Sequence, residues 1–173
     1  MNQTSTFLAP KASGSQPTPR VAIVAASWHA DIVACATGSV VAELAQSGIP
    51  KENVEVFHVP GAFEIPLFSQ RLARTGRYDA LIACGLVVNG GVYRHEFVAA
   101  AVIDALMKVQ LETEVPILSC VLTPRDFHEH EDHLAFFKAH LLKKGTEVAS
   151  ACVQTLENMR ALTAMPRTVA ARS

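Results

Sequence analysis

The chain has 173 residues, of which 50% are hydrophobic and 18% are charged. It can therefore fold as one domain with a substantial core, and it is not a disordered chain. Its formal net charge of −1, without a clustered basic face, argues against a nucleic-acid partner. No apolar run reaches the roughly 18 residues of a membrane-spanning helix, so no membrane contact is expected. Four cysteines without a CxxC pair favour free thiols in a cytoplasmic protein.

Composition divides the chain into three parts. Residues 1–19 are rich in Ser, Thr, Pro and Gln and lack the apolar stretch of a signal peptide, so they predict a mobile arm. Residues 164–173 predict a mobile tail in the same way. The folded domain is expected to occupy residues 20–163.

Within that domain, short apolar runs alternate with segments of helical periodicity. The predicted strands are Val21–Ala26, Val54–Val59, Ala80–Val88 and Pro116–Leu122. The predicted helices are Asp31–Gln46, Ile65–Arg74, a third that opens at Asn89–Val92 and continues past Val109, and Thr146–Leu162. Glycines at 48 and 76 are expected to end the first two helices. This alternation predicts an α/β fold, a three-layer α/β/α sandwich with a four-stranded parallel sheet of the flavodoxin-like kind. Ligands of such folds bind at the carboxyl ends of the strands.

Two neighbouring stretches carry a resemblance to a known family. The first is Val59-Pro-Gly-Ala-Phe-Glu-Ile-Pro, and the second is Leu72-Ala-Arg-Thr-Gly-Arg-Tyr-Asp-Ala-Leu-Ile-Ala-Cys-Gly. Together they resemble the second and third strand ends of lumazine synthase, and Lys144-Gly145 is similar to the pair before that family's last helix. The resemblance covers about residues 20–163. It implies an enzyme that needs no cofactor and joins 5-amino-6-(ribitylamino)uracil to 3,4-dihydroxy-2-butanone 4-phosphate.

The resemblance also implies a pyrimidine site. Trp28 stands where the family usually has Phe, and its indole could stack on a flat ring. Glu64 could accept hydrogen bonds from ribityl hydroxyls. The remaining residues that the resemblance assigns to this site are Ala62, Phe63, Leu86, Val87, Val88 and Ser119.

Two kinds of residue are predicted to bind the phosphorylated substrate: backbone groups at the start of the third helix, and the side chain of His133 or Lys138. Gly91 and Val92 follow a strand, where exposed backbone N–H groups at the start of a helix can cradle a phosphate. Ungapped counting puts His133 at the position of the family's phosphate-binding Arg, a departure from the pattern. Lys138 is the competing candidate.

A second departure concerns proton transfer. Arg94 falls on the position of the family's presumed proton donor, a histidine, and His95 follows it. Arginine stays protonated, so it could hold phosphate or stabilise charge but cannot act as a general base. His95 is the better proton shuttle, although neighbouring residues point about 100° apart on a helix.

The run His128-Glu-His-Glu-Asp-His133 contains residue types that bind metal ions. His130 and His133 have ligand spacing on a helix, but the run is not HExxH because its fifth residue is Asp132. A solvated turn is the better interpretation, so no metal is predicted.

Two other functions stay open at this stage. A flavin- or pteridine-binding protein with little catalysis would be compatible with the substitutions at 94 and 133. An NAD-dependent enzyme is disfavoured, because the segment after the first strand lacks the glycine fingerprint.

A homo-oligomer is also expected. The resemblance implies a ring of five chains, with active sites shared between neighbours. Ala135-Phe136-Phe137 and Leu141-Leu142 add large apolar groups among charged residues, which is typical of an interface. The extra residues before Lys144 favour a pentamer or decamer over a closed shell.

Overall fold

The computed structural model describes residues 17–89, 94–125, 127 and 130–165, except for the side chain of Asp132. The predicted N-terminal arm lies outside this range up to residue 16, and the predicted tail lies outside it from residue 166. Gly91 and Val92, two of the predicted phosphate-site residues, also lie outside the described residues.

Four parallel strands form a single sheet in the order β2-β1-β3-β4. They are β1 Val21–Ala26, β2 Val54–Val59, β3 Ala80–Leu86 and β4 Ile117–Leu122. The two central strands, β1 and β3, are buried along their whole length, as expected of strands that helices cover on both faces.

Helices cover both faces of this sheet. The four helices are α1 Ala30–Gln46, α2 Ile65–Ala73, α3 His95–Thr113 and α4 Glu131–Thr163. One apolar core lies between the sheet and α1 with α4, and a second lies between the sheet and α2 with α3. The predicted three-layer α/β/α arrangement is therefore confirmed.

The ends of the first two helices agree with the turn chemistry of the sequence. Gly48 follows α1 with φ 90°, and Gly76 follows α2 with φ 66°. Both are left-handed conformations that glycine adopts without steric cost. Pro66 lies in the first turn of α2, where its missing N–H removes no helical hydrogen bond.

The third helix begins later than predicted. Asn89 is not helical, and α3 starts at His95. Arg94 is the N-cap residue, with the extended backbone angles φ −74° and ψ 90°. The double glycine therefore precedes the helix by several residues, and the predicted helix start at 89–92 is wrong.

The fourth helix is much longer than predicted. It begins at Glu131 instead of Thr146, and it contains Lys144-Gly145, which was expected to precede it. Apolar residues recur at intervals of three or four on both sides of Gly145, which itself lies on the same buried face, so one face is continuous. These buried or half-buried residues are Leu134, Phe137, Leu141, Val148, Cys152 and Leu156.

Gly145 lies where α4 crosses α1 at close range. It is buried, and a Cβ at this position would overlap the Ala36 carbonyl oxygen and the Ser39 hydroxyl. A glycine inside a helix costs about 1 kcal/mol relative to alanine. Here that cost is offset by the close contact between the two helices.

The cysteines are free thiols, and Cys84, Cys120 and Cys152 are buried. Burial raises the pKa of the Cys152 thiol to about 12, so this group is protonated at neutral pH. Across the described ranges, no helix combines the length and the apolar character needed to cross a membrane.

Gly145→Ala should destabilise the fold by about 1–3 kcal/mol, because an added methyl group in a closely packed site forces the backbone to move. Gly38→Ala in α1 is the matched control, since a Cβ there would meet no atom within 4 Å. That variant should be neutral or more stable by up to about 1 kcal/mol. Urea denaturation measures both. Equal effects of the two substitutions would contradict the close contact at Gly145.

Candidate functional site

The carboxyl ends of β1 and β2 are joined by backbone hydrogen bonds. The Ser27 N–H donates to the Val59 carbonyl oxygen at 2.8 Å, and the Trp28 N–H donates to the Pro60 carbonyl oxygen at 3.2 Å. His29 then takes φ 54° and ψ 42°, a left-handed conformation that is uncommon outside glycine. This sharp turn starts α1 and leaves the Trp28 side chain outside the sheet.

Small residues bring the end of β3 to the same place. A Cβ placed on Gly85 would lie 3.5 Å from the Cβ of Ala62 and 3.6 Å from the Cβ of Ala26. The ends of β1 and β3 and the turn after β2 therefore lie close together, with room for about one methyl group at position 85. We call the residues gathered here the Trp28 cluster: Trp28, Gly61, Ala62, Phe63, Glu64, Leu86, Val87 and Val88.

Trp28 is the most prominent member of the cluster, since 69% of its surface is exposed. A Cβ at Gly61 would lie 3.2 Å from its Cε3 atom, so the indole lies close against the backbone of the turn. An exposed indole with one side supported in this way can receive a flat ring on its other side.

The turn Ala62–Glu64 is a single 3₁₀ turn that leads into α2. Ala62 is buried and Phe63 is exposed. One Glu64 carboxylate oxygen, Oε2, accepts a hydrogen bond of 2.8 Å from the Gly61 N–H. This contact orients the carboxylate, whose other oxygen can accept from a ligand hydroxyl.

The residues after β3 supply an apolar surface. Leu86 and Val87 are buried, and Val88 is half-buried. The Val87 N–H donates to the Leu122 carbonyl oxygen at 2.9 Å, so this donor is used within the fold.

Arg94 and His95 stand at the start of α3 in different environments. The Arg94 side chain is exposed, and its guanidinium lies over the Phe97 ring with Cζ 4.7 Å from the ring centre. The His95 side chain is only 12% exposed, and its Nδ1 lies 3.5 Å from Glu96 Oε2. Because Arg94 is the N-cap residue, the 100° separation expected of two helical neighbours does not describe this pair.

A second cluster of rings lies on the α1/α4 side of the sheet. The Phe127 ring centre lies 5.2 Å from those of His29 and Phe137, and the His133 ring centre lies 5.3 Å from that of Phe137. His133, one predicted phosphate ligand, is thus part of an aromatic cluster at the start of α4.

The other two predicted binding residues occupy separate positions. Lys138 Nζ lies 2.8 Å from Asp31 Oδ2, an ion pair that joins α4 to the first turn of α1. Ser119 lies in the middle of the edge strand β4 and is exposed, three residues before the strand ends. Ser119 is therefore not gathered at the carboxyl ends of β1 and β3, whereas Lys138 lies beside the start of α1, which directly follows the carboxyl end of β1.

The histidine run contributes to the N-terminus of α4. His130 is its N-cap residue, and its carbonyl oxygen accepts from the His133 N–H at 3.0 Å. In the part of the chain that the structure describes, no three His, Cys, Asp or Glu side chains are grouped so that they could hold a metal ion. His128 lies outside that part.

The predicted interface segment is only partly exposed. Phe136 and Leu142 are exposed, whereas Phe137 and Leu141 belong to the core. Phe136 and Leu142 lie on the outer side of α4, whereas Phe137 and Leu141 lie on the side that faces the sheet.

Sequence reasoning missed a larger apolar surface on the opposite layer. Ile103, Met107 and Leu111 recur every four residues on the outside of α3, and Leu67 is exposed on α2. Leu111 is 72% exposed. The available signal was that α3 is apolar on more than one face, which a helix that only covers a sheet does not need.

Comparison with known proteins adds to this geometry. A family model described as 6,7-dimethyl-8-ribityllumazine synthase matches residues 18–160. The chain belongs to this family. A relative from Rhodococcus erythropolis, named 6,7-dimethyl-8-ribityllumazine synthase, is 53% identical over 143 residues, which cover 83% of this chain and 92% of the relative.

Two further relatives carry the name 6,7-dimethyl-8-ribityllumazine synthase 2. The one from Pseudomonas syringae pv. tomato is 51% identical, covering 87% of this chain and 88% of its own length. The one from Bradyrhizobium diazoefficiens is 54% identical, covering 83% and 86% respectively. The family resemblance found in the sequence is therefore confirmed.

The ion pair of Lys138 with Asp31 makes a prediction about pH. The hydrogen bond from Lys138 holds the pKa of the Asp31 carboxyl below its usual value. A lowered pKa in the folded state stabilises the fold at neutral pH, and this contribution is lost as the pH falls through that value. Asp31→Asn should therefore lower the thermal midpoint slightly at pH 7, since the pair is exposed.

The difference between the parent chain and Asp31→Asn should narrow below about pH 4, the usual range of an aspartate. In a Lys138→Met background, the substitution at 31 should have little effect at any pH. Thermal unfolding from pH 7 to pH 3 measures all four chains. A difference that persists unchanged to pH 3 would show that Asp31 does not stabilise the fold through its charge.

Proposed function

We propose that this chain condenses 5-amino-6-(ribitylamino)uracil with 3,4-dihydroxy-2-butanone 4-phosphate. The product is 6,7-dimethyl-8-ribityllumazine, with release of phosphate and water, the penultimate step of riboflavin biosynthesis. The observation that carries the proposal is family membership at more than 50% identity over most of the chain. We further propose that the reaction takes place in the cytoplasm and requires no cofactor.

The Trp28 cluster suits the pyrimidine substrate. The exposed Trp28 indole offers a stacking surface. The oriented Glu64 carboxylate offers an acceptor for the ribityl chain. We propose Leu86, Val87 and Val88 as apolar or backbone contacts, as the family resemblance implies.

The chemistry asks mainly for positioning. An amine attacks a ketone to give an imine, phosphate is eliminated, and the ring closes with loss of water. Holding two reactants in a productive geometry can lower a barrier by about 7–11 kcal/mol in ideal cases. Such a reaction does not require a strong acid or base, so a family member with Arg94 in place of histidine can still function.

We assign the phosphorylated substrate to the start of α3. Arg94 is a permanent cation at the N-cap, where unpaired backbone N–H groups and the helix dipole favour an anion. In this role Arg94 would hold the phosphate and stabilise charge as it leaves. His95 would relay protons.

We propose His133 and Lys138 as phosphate ligands. Both lie on the side of α1, where Lys138 pairs with Asp31. The His133 ring is linked through Phe137 and Phe127 to His29.

We propose that the site is shared between neighbouring chains, as the family resemblance implies. Ser119 supports this proposal, because it lies in the middle of the edge strand β4 and away from the Trp28 cluster of its own chain. The exposed apolar side chains of α2 and α3, which include Leu67, Met107 and Leu111, provide a surface for such a neighbour. We propose a pentamer or a decamer, the assemblies that the family resemblance implies; a head-to-tail ring closes only at a fixed rotation, so the assembly should have one discrete size.

A second candidate function is binding of a flavin or pteridine with little catalysis. Arg94 favours it, since a guanidinium cannot accept a proton at working pH. One assay separates the two functions: the purified chain is mixed with both substrates, and lumazine fluorescence and released phosphate are recorded. Product formation in excess of the enzyme supports catalysis. Riboflavin binding without turnover would support the second candidate and contradict the first.

The roles of Arg94 and His95 can be separated by substitution. Arg94→Lys should retain more activity than Arg94→Ala, because lysine keeps the positive charge, and the loss should fall mainly on KM for the phosphorylated substrate. Removing a contact to phosphate should cost about tenfold or more in kcat/KM. His95→Ala is the matched comparison. If it is the more damaging change and flattens the pH profile near neutrality, His95 rather than Arg94 dominates the reaction.

The oligomer makes its own prediction. Light scattering should give a mass near five or ten times 18.6 kDa. Leu111→Asp, on the exposed face of α3, should dissociate the ring and lower activity at least about tenfold, because the new charge cannot be buried without a partner. Leu162→Asp, at an exposed leucine of α4, should leave the mass unchanged. A fully active monomer or dimer would contradict both the ring and the shared site.

A further inference from the structure

Gly61 needs an explanation that its backbone does not supply. Its φ of −138° and ψ of −178° describe extended backbone, which any residue adopts. The turn at the end of β2 therefore does not require glycine for its conformation. The reason for glycine has to lie in the space around its Cα.

That space is occupied by two members of the Trp28 cluster. A Cβ on Gly61 would lie 3.2 Å from Trp28 Cε3, 3.3 Å from Trp28 Cζ3 and 3.2 Å from Glu64 Oε2. Ordinary contacts between carbon atoms are about 3.5–4.0 Å. One methyl group would thus push on the indole and on the carboxylate together, while the backbone itself stays unstrained.

We infer that Gly61 is a positioning residue for the pyrimidine site. Its bare backbone supports one side of the Trp28 indole, and its N–H fixes the Glu64 carboxylate. The inference rests on the proposed function for its catalytic consequence, but the support of Trp28 by Gly61 can be measured without substrate. Gly61 is not proposed to contact the substrate; it acts through the Trp28 and Glu64 side chains.

The dependence on Gly61 comes from the size of the aromatic group. Both indole atoms near the added Cβ belong to the six-membered ring of tryptophan, and a phenylalanine side chain has no counterpart of them. A smaller ring at position 28, which the family usually has, should leave room for a methyl group at position 61. Residues 28 and 61 are therefore coupled in this chain.

Four chains test the inference: the parent, Gly61→Ala, Trp28→Phe and the double variant. Gly61→Ala should raise KM for 5-amino-6-(ribitylamino)uracil by about three- to tenfold, with a smaller effect on kcat, the scale of a displaced aromatic contact. The same substitution in the Trp28→Phe background should change KM less than twofold. Gly38→Ala, whose added Cβ meets no atom within 4 Å, is the control for adding a methyl group.

Trp28 is the only tryptophan, so its emission reports directly on the indole. Gly61→Ala should shift this emission and increase its quenching by acrylamide in the absence of any ligand, whereas Gly38→Ala should not. If the parent chain makes no product but Gly61→Ala still changes Trp28 emission, the proposed function is overturned while the contact between residues 61 and 28 is supported.

Three results would overturn the inference. Gly61→Ala could raise KM equally in both backgrounds, which would mean that the methyl group does not act through Trp28. It could leave both KM and Trp28 emission unchanged. If Gly61→Ala folds poorly, the double variant should regain the thermal midpoint of Trp28→Phe, and its failure to do so would likewise contradict the coupling.

Discussion

The close approach of three chain segments at the carboxyl edge of the sheet controls the site. Ala26 ends β1, Ala62 begins the turn after β2, and Gly85 lies near the end of β3, with side chains small enough for direct contact. An alanine would still fit at position 85, since its Cβ would lie 3.4–3.6 Å from its nearest neighbours, but a side chain larger than alanine at any of the three positions would press the segments apart. Trp28, Glu64 and Val88 then extend from these segments into one region.

The two layers of helices have different tasks. On one side, α1 and α4 pack closely at Gly145 and complete the larger core, while the Asp31–Lys138 ion pair joins their N-terminal parts. On the other side, α3 buries Val102, Leu106 and Val109 and keeps apolar side chains on its outer face. Both layers carry exposed apolar side chains, Phe136, Leu142 and Leu162 on α4 and Met107 and Leu111 on α3.

The sequence predicted the elements that local patterns define. Short runs rich in apolar residues predicted all four strands, and β1 and β2 were placed without error at Val21–Ala26 and Val54–Val59. The start of α4 was missed because the family resemblance implied that Lys144-Gly145 precedes the last helix. What allows glycine inside this helix is contact with Ala36 and Ser39 on α1, which are distant in sequence. A helix boundary that depends on such a partner leaves no local signal.

Part of the candidate site was predictable from the sequence, and the part that depends on packing between distant segments was not. The family motif located the residues of the Trp28 cluster, since they follow strands whose carboxyl ends must meet. The contact between Trp28 and Gly61 could not be predicted, because it depends on how two loops pack. The outer face of α3 was not recognised either. The periodicity of α3 marks the face that covers the sheet, with Val102, Leu106 and Val109 buried, but it does not tell whether apolar residues outside that face have a partner.

Stacking of the ligand on Trp28 is tested most directly by a titration of the chain with 6,7-dimethyl-8-ribityllumazine, followed through Trp28 emission. If the pyrimidine-derived ring stacks on the exposed indole, quenching should saturate at one ligand per chain, and 5-amino-6-(ribitylamino)uracil should compete for it. Binding detected by calorimetry without any change in Trp28 emission would place the ligand elsewhere and contradict a pyrimidine site at Trp28.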